Sequence, residues 1–207
     1  MKTLLLFLVC GLAAAGSAQQ PQKTFTSPDG LFRFHYSDML VNCSPQQTPN
    51  GPASAIESCM SQGAVCGGPG SDATALACFA YPKERFKDKP LFVAATFFVS
   101  EIRSAKTEKA CLDGSSDWYV INSKEGTTTI NGVAFKAFEI GDNWAGGGQS
   151  GPVYRTFHHD RCYELGMQTV VSRAAYDPET DKEFTKQDGA EVEGRLGQAL
   201  NSFVFLK

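Results

Sequence analysis

Six cysteines, Cys43, Cys59, Cys66, Cys78, Cys111 and Cys162, follow an N-terminal segment built like an export signal, and that combination constrains this 207-residue chain most. Lys2 precedes an apolar run over 4–9 that continues to residue 15, and the small residues Gly16 and Ala18 stand ahead of Gln19. A positive start, a short apolar stretch and small residues at the last positions make a secretory signal peptide, too short to span a bilayer. Cleavage is expected after Ala18, removing 1–18 together with Cys10. A lipid anchor on Cys10 is disfavoured, because Val9 stands where such a site takes a small residue. The remaining chain is read as secreted or periplasmic, where six thiols oxidise to three disulfides. Spacing does not choose the connectivity; the working assignment pairs Cys59 with Cys66, Cys43 with Cys78, and Cys111 with Cys162. Each closed loop is worth on the order of 2–4 kcal/mol.

Four of these cysteines lie between 43 and 78, where Pro45, Pro49, Gly51, Pro52, Gly67, Gly68, Pro69 and Gly70 leave little apolar material to pack. Residues 44–75 therefore read as a cysteine-rich, Pro/Gly-rich insertion tied to the main fold, with one short helix near 53–62. The rest of 19–207 reads as a single domain. With 42% hydrophobic and 20% charged residues the chain has enough apolar material for a core and is not disordered as a whole.

Period-two patterning marks the strands. Phe32, Phe34 and Tyr36 alternate with Leu31, Arg33 and His35 after the Pro28-Asp29-Gly30 turn. Residues 76–81 are strand-like, and 91–102 form a nearly continuous apolar run expected of a central strand covered on both faces. A short helix is expected over 104–112 with Ser104 as its N-cap. Asn131-Gly132 between 127–130 and 133–140 is a strong hairpin signal. A Gly-rich loop is expected over 141–151, followed by a second hairpin, 153–158 with 162–171, turning at His159-Asp160-Arg161. Asp177-Pro178-Glu179 predicts a helix start. A further helix over 190–202 places Val192, Leu196, Ala199, Leu200 and Phe203 on one face, and 203–206 closes as a strand. The expected class is α+β, an antiparallel-rich sheet with helices packed on it.

The opening strand around its proline-glycine turn, the apolar strand near 91–101, the hairpins of 130–140 and 154–169, and the last helix running into Ser202-Phe203-Val204-Phe205 together resemble the PsbP-like fold. The insertion departs from that pattern. The resemblance implies a sandwich-like α+β domain and tilts the function toward an accessory or assembly factor, and it carries over no functional residue.

No reaction motif stands out. Gly146 to Gly151 contains G-x-G-x-x-G, but Pro152 and a β-type run follow where a dinucleotide fold needs a helix. His158, His159, Asp160 and Cys162 are the densest reactive set, and a thiolate beside an imidazole is the basis of a thiol-dependent or hydrolytic reading. Against it, Cys162 is expected in a disulfide, and His158 and His159 should point to opposite faces of a strand. A metal reading of the same turn, with distant His35, has no Cys-x-x-Cys pair to start from. Asp177, Glu179, Asp181 and Glu183 alternate like a calcium loop, yet Lys182 and Asp188 stand where Gly and Glu are needed. Neither a metal nor another cofactor is assigned.

Trp118, Trp144 and Tyr154 are the candidate ligand-binding residues, aromatics in or near loops, two of them beside mobile-looking glycines. The net charge of −3 and scattered Lys and Arg give no footprint for nucleic acid. No apolar run after the signal is long enough to span a membrane. The expectation is an exported, non-catalytic binding or accessory module for an unidentified protein or small molecule. The alternative is an enzyme using the turn at His158, His159 and Cys162.

Overall fold

The computed structural model describes residues 21–44, 66, 73–113, 126–174 and 176–206. The expected signal peptide, most of the expected insertion with the short helix expected near 53–62, Cys59 and Trp118 lie outside the described residues. The elements are β1 (Gln22–Thr26), β2 (Phe32–Ser37), β3 (Val41–Asn42), β4 (Ala73–Ala80), a 3₁₀ turn (Lys83–Phe86), β5 (Phe92–Ile102) and α1 (Glu108–Asp113). There follow β6 (Gly126–Ile130), β7 (Val133–Trp144), β8 (Gly147–His158), β9 (Arg161–Ser172), α2 (Lys186–Ser202) and β10 (Val204–Phe205). They make a three-stranded sheet, β1-β2-β10, and a seven-stranded sheet, β3-β4-β5-β9-β8-β7-β6. Every pairing is antiparallel. The expected α+β class is the one observed.

The apolar run of β5 lies between β4 and β9 with both faces buried, as its composition requires. Its odd-numbered residues Phe97 and Val99, with Phe79, Tyr163 and Leu165 of the flanking strands, meet Phe25, Phe32 and Phe34 of the small sheet and Val192, Leu196 and Ala199 of α2. Phe34 meets Phe79 and Phe97 edge-on at 5.2 and 5.0 Å. Such ring pairs contribute about 0.5–1.5 kcal/mol each beyond their area burial. Two polar links reinforce the α2 layer: Tyr81 donates to Glu191 at 3.0 Å, and Lys89 meets Asp188 at 2.5 Å.

The opposite face of the large sheet carries Cys78, Phe98, Cys162 and Gly166. Phe98 and Gly166 are direct cross-strand partners, and a Cβ on Gly166 would stand 2.2 Å from the Phe98 ring. The missing side chain lets the ring lie on the backbone of β9. The two bridges whose partners are both described fasten to this face: Cys66–Cys78 and Cys111–Cys162, the second holding α1 against β8 and β9. Cys111–Cys162 agrees with the sequence reading. Cys66–Cys78 replaces the expected pairs Cys59–Cys66 and Cys43–Cys78. Cys43 is disulfide-bonded as well, and its backbone N–H donates to the Cys78 carbonyl at 2.8 Å. Residues 43 and 78 are thus neighbours through the backbone, while the Cys78 sulfur belongs to Cys66.

Several boundaries differ from expectation for local reasons. Asn131 and Gly132 turn with φ of 46° and 85°, as a two-residue hairpin demands. The supposed Gly-rich loop is strand: β7 continues to Trp144, β8 begins at Gly147, and only Ala145 and Gly146 turn. Its glycines answer close backbone approach, since a Cβ on Gly147 would lie 2.7 Å from the Val171 carbonyl oxygen. No helix starts at Asp177. Its carboxylate accepts from the Glu179 N–H at 2.9 Å and closes a single turn. The helix starts at Lys186, where Thr185 and Asp188 form a reciprocal capping box. Helix α1 begins later than Ser104, with Thr107 Oγ1 accepting from the Ala110 N–H at 3.1 Å.

Glycine substitutions in α2 and in β9 should move stability in opposite directions. Gly194 and Gly197 lie inside α2 with open space where a Cβ would go, so changing either to Ala is expected to stabilise by about 1 kcal/mol. Gly166→Ala should destabilise by about 1–3 kcal/mol through overpacking against Phe98. Urea unfolding midpoints of the three variants against the parent check both signs.

Candidate functional site

The β8–β9 pair gives the large sheet two ends, and the sequence-predicted residues divide between them. The twelve residues of β8 hold the ends roughly 35 Å apart at about 3.3 Å per residue. One end carries the His158 to Cys162 turn. The other carries Trp144.

At the first end, His159 and Asp160 form a two-residue turn with φ of 48° and 57°, and Arg161 already belongs to β9. Because His159 lies in the turn and not in a strand, its ring folds back over His158 instead of pointing to the opposite face. The two rings stack at 4.1 Å, and His158 stacks on Phe205 of β10 at 3.9 Å. Burial, reinforced by the charge of His159, pushes the His158 imidazole below its ordinary value. Arg161 reaches Asp29 at 3.4 Å and Glu101 at 3.8 Å, tying the turn to the β1–β2 connection and to β5.

Cys162 is buried at 1% exposure with its sulfur bonded to Cys111, so the thiolate that a nucleophile needs is absent from this state. His35 stands on the exposed face of β2 with Nδ1 2.9 Å from Thr24 Oγ1. Among the described residues no three His, Cys, Asp or Glu side chains gather as metal ligands.

At the other end, the β7–β8 tip, the close of β9, the start of β5 and the segment leading into α2 enclose an open groove of about 400 Å³. Leu91, Val171 and Phe184 supply its apolar walls, Gly146 and Gly147 its tip side, and Ser172 and Arg173 its polar part. Phe184 is held by Phe92 and Phe86, with ring centroids at 5.2 and 5.1 Å. The Arg173 N–H donates to the Gly146 carbonyl at 2.5 Å, joining β9 to the tip. Trp144 lies across Gly147, occupying the space that a side chain there would take, and is 44% exposed. It is the exposed large hydrophobic residue among those described.

Tyr154 does not share this site. It lies seven residues along β8 from Gly147, partly buried against the main core, and burial raises its phenol above the ordinary value. Trp118 lies outside the described residues. Sequence reasoning missed Leu91, Val171, Arg173 and Phe184, which belong to no motif and meet only through the pairing of β5 with β9 and the packing of Phe184 on Phe86 and Phe92. It also missed the buried contact of Arg155 Nε with Glu164 Oε2 at 2.7 Å. Register supplies the signal for that pair, since the two residues stand directly opposite each other across β8 and β9.

No family model matches the chain, and none of the curated proteins matches it. Among solved structures it is similar to a Bacteroides thetaiotaomicron VPI-5482 protein, at 11% identity and a TM-score of 0.43, over 89% of this chain and 48% of that one. It is also similar to the Saccharomyces cerevisiae Ran-binding protein Mog1p, at 12% identity and a TM-score of 0.41, over 90% of this chain and 96% of that one. The chain spans about half the length of the first.

The His158 stack predicts an acid-sensitive contribution to stability. The unfolded imidazole titrates near 6.5, and the folded one lower. As pH falls the unfolded state takes up its proton first, so the contribution is complete above about 6.5 and declines below it. His158→Phe, which keeps the stack on Phe205, should flatten that decline. Urea midpoints of parent and variant between about pH 7.5 and 5 measure the difference.

Proposed function

We propose that this protein is exported after removal of residues 1–18 and works as a non-catalytic binding or accessory module, in a PsbP-like arrangement, in the periplasm or extracellular space. The observation that carries the reading is Trp144. A large aromatic side chain exposed to solvent at the tip of an ordered hairpin, beside a groove with fixed walls, contributes little to the core and is what a recognition surface uses. The bridges support the location, because structural disulfides of this kind persist in oxidising compartments. Cys162 is committed to one of them, which removes the support for the thiol-dependent alternative. No helix among the described residues is long and apolar enough to cross a membrane.

Two measurements test the reading. The exported product should have a mass beginning at Gln19 and take up no alkylating reagent without reductant. Retention of residues 1–18, or labelling of Cys162 in the native protein, would sink it. Trp144→Ala should leave the unfolding midpoint within about 0.5 kcal/mol of the parent. A larger loss would make Trp144 a structural residue and remove its role in recognition.

A further inference from the structure

We infer that the groove between Leu91, Val171 and Phe184 binds a small amphipathic acid, its planar apolar body against these three side chains and reaching Trp144 at the rim, and its single anionic head on Arg173. This rests on the binding-module reading and gives it a ligand class. The volume, about 400 Å³, lies in the range of small-molecule sites, roughly 300–1,000 Å³. The walls are set before any ligand arrives. Phe184 packs against both Phe86 and Phe92, and the Arg173 N–H bond to the Gly146 carbonyl fixes the spacing between the end of β9 and the hairpin tip. A site fixed in this way loses little entropy on binding.

Charge selects the ligand. Arg173 is the one charged side chain in the lining, and it forms no ion pair among the described residues. The neighbouring cations are committed, Lys182 to Asp88 at 2.6 Å and Lys89 to Asp188 at 2.5 Å. A guanidinium with no ion pair among the described residues, at the polar end of a groove that is about half apolar, favours a carboxylate, sulfonate or phosphate head and disfavours a cation. Ser172 Oγ, which accepts from the Ala174 N–H at 3.2 Å, keeps its own hydrogen to donate to the same head. Trp144 is not itself a lining residue; it packs over Gly147, which is, and so stands at the rim on the tip side, partly exposed.

The test uses the disulfide-bonded exported protein and two fluorescent probes that share an aromatic body. These are 8-anilinonaphthalene-1-sulfonate and the uncharged N-phenyl-1-naphthylamine. The sulfonate should bind saturably at one site. Arg173→Gln should weaken it about tenfold, the loss of one charge-assisted contact, while changing the uncharged probe less than about twofold. Arg173→Lys should restore part of the difference, and Trp144→Ala should weaken both probes. Sulfonate binding that does not saturate, or that ignores Arg173→Gln and Trp144→Ala, overturns the inference. So does an equal response of both probes to Arg173→Gln. Native mass with alkylation of the same sample separates the two failures. Bridged protein without Arg173-dependent binding overturns the groove alone, whereas free thiols with Arg173-dependent binding overturn the export reading and leave the groove.

Discussion

Burial of β5 on both of its faces is the constraint from which the other layers follow. A strand with Phe97 and Val99 on one side and Ala94, Phe98 and Ser100 on the other cannot leave either side to water. One side is met by aromatic rings of the small sheet and by the apolar stripe of α2. For that stripe to arrive, the chain must return after β9, cross the end of the large sheet and cap a new helix at Thr185. The groove lies on this return path, between the end of β9 and Phe184, so packing the first face also builds the candidate site.

The second face is organised differently. It mixes Phe98, Ile140 and Val153 with Thr96, Ser100, Glu164 and Gln168, all buried. Such a face gains less from the hydrophobic effect than the aromatic side does, because each polar group must recover its lost hydration. Arg155 and Glu164 meet one another there, with Arg155 also over the Phe138 ring at 5.4 Å. Covalent bridges suit this face because they do not depend on apolar area. Cys78 and Cys162 both point to it, and each holds a piece of chain against the sheet.

Much of this architecture is legible in the sequence, and the reasons differ by element. Alternation at Phe32, Phe34 and Tyr36, the continuous run of β5 and the Asn131-Gly132 turn are local signals, and local physics decides them. The glycine run after Gly141 misleads, because glycine marks a loop when it supplies freedom and a strand when it permits close approach. Only the partner strand distinguishes the two. Thr185-x-x-Asp188 is a legible cap that the more conspicuous Asp177-Pro178 outweighs. The Cys66–Cys78 pairing could not be read, because it depends on which face of β4 a cysteine occupies. The groove was illegible, since its walls come from four separate segments, and only Trp144 beside it stood out in the sequence.

The two ends of the β8–β9 pair assign different work to similar-looking turns. At His159-Asp160 the chain reverses against other elements: His158 stacks on Phe205, Arg161 reaches Asp29 and Glu101, and Cys162 is bridged to Cys111. Side chains that suggest chemistry in the sequence are consumed there by packing. At Ala145-Gly146 the chain reverses beside a groove, and the small residues of the tip admit Trp144 across Gly147 without a competing side chain. With His158 stacked on Phe205 and Cys162 bridged to Cys111, the thiol and the imidazole of that cluster are held by packing and by a covalent bond. An exposed aromatic close to a guanidinium that forms no ion pair among the described residues, both carried on ordered backbone, is the stronger basis for a recognition surface.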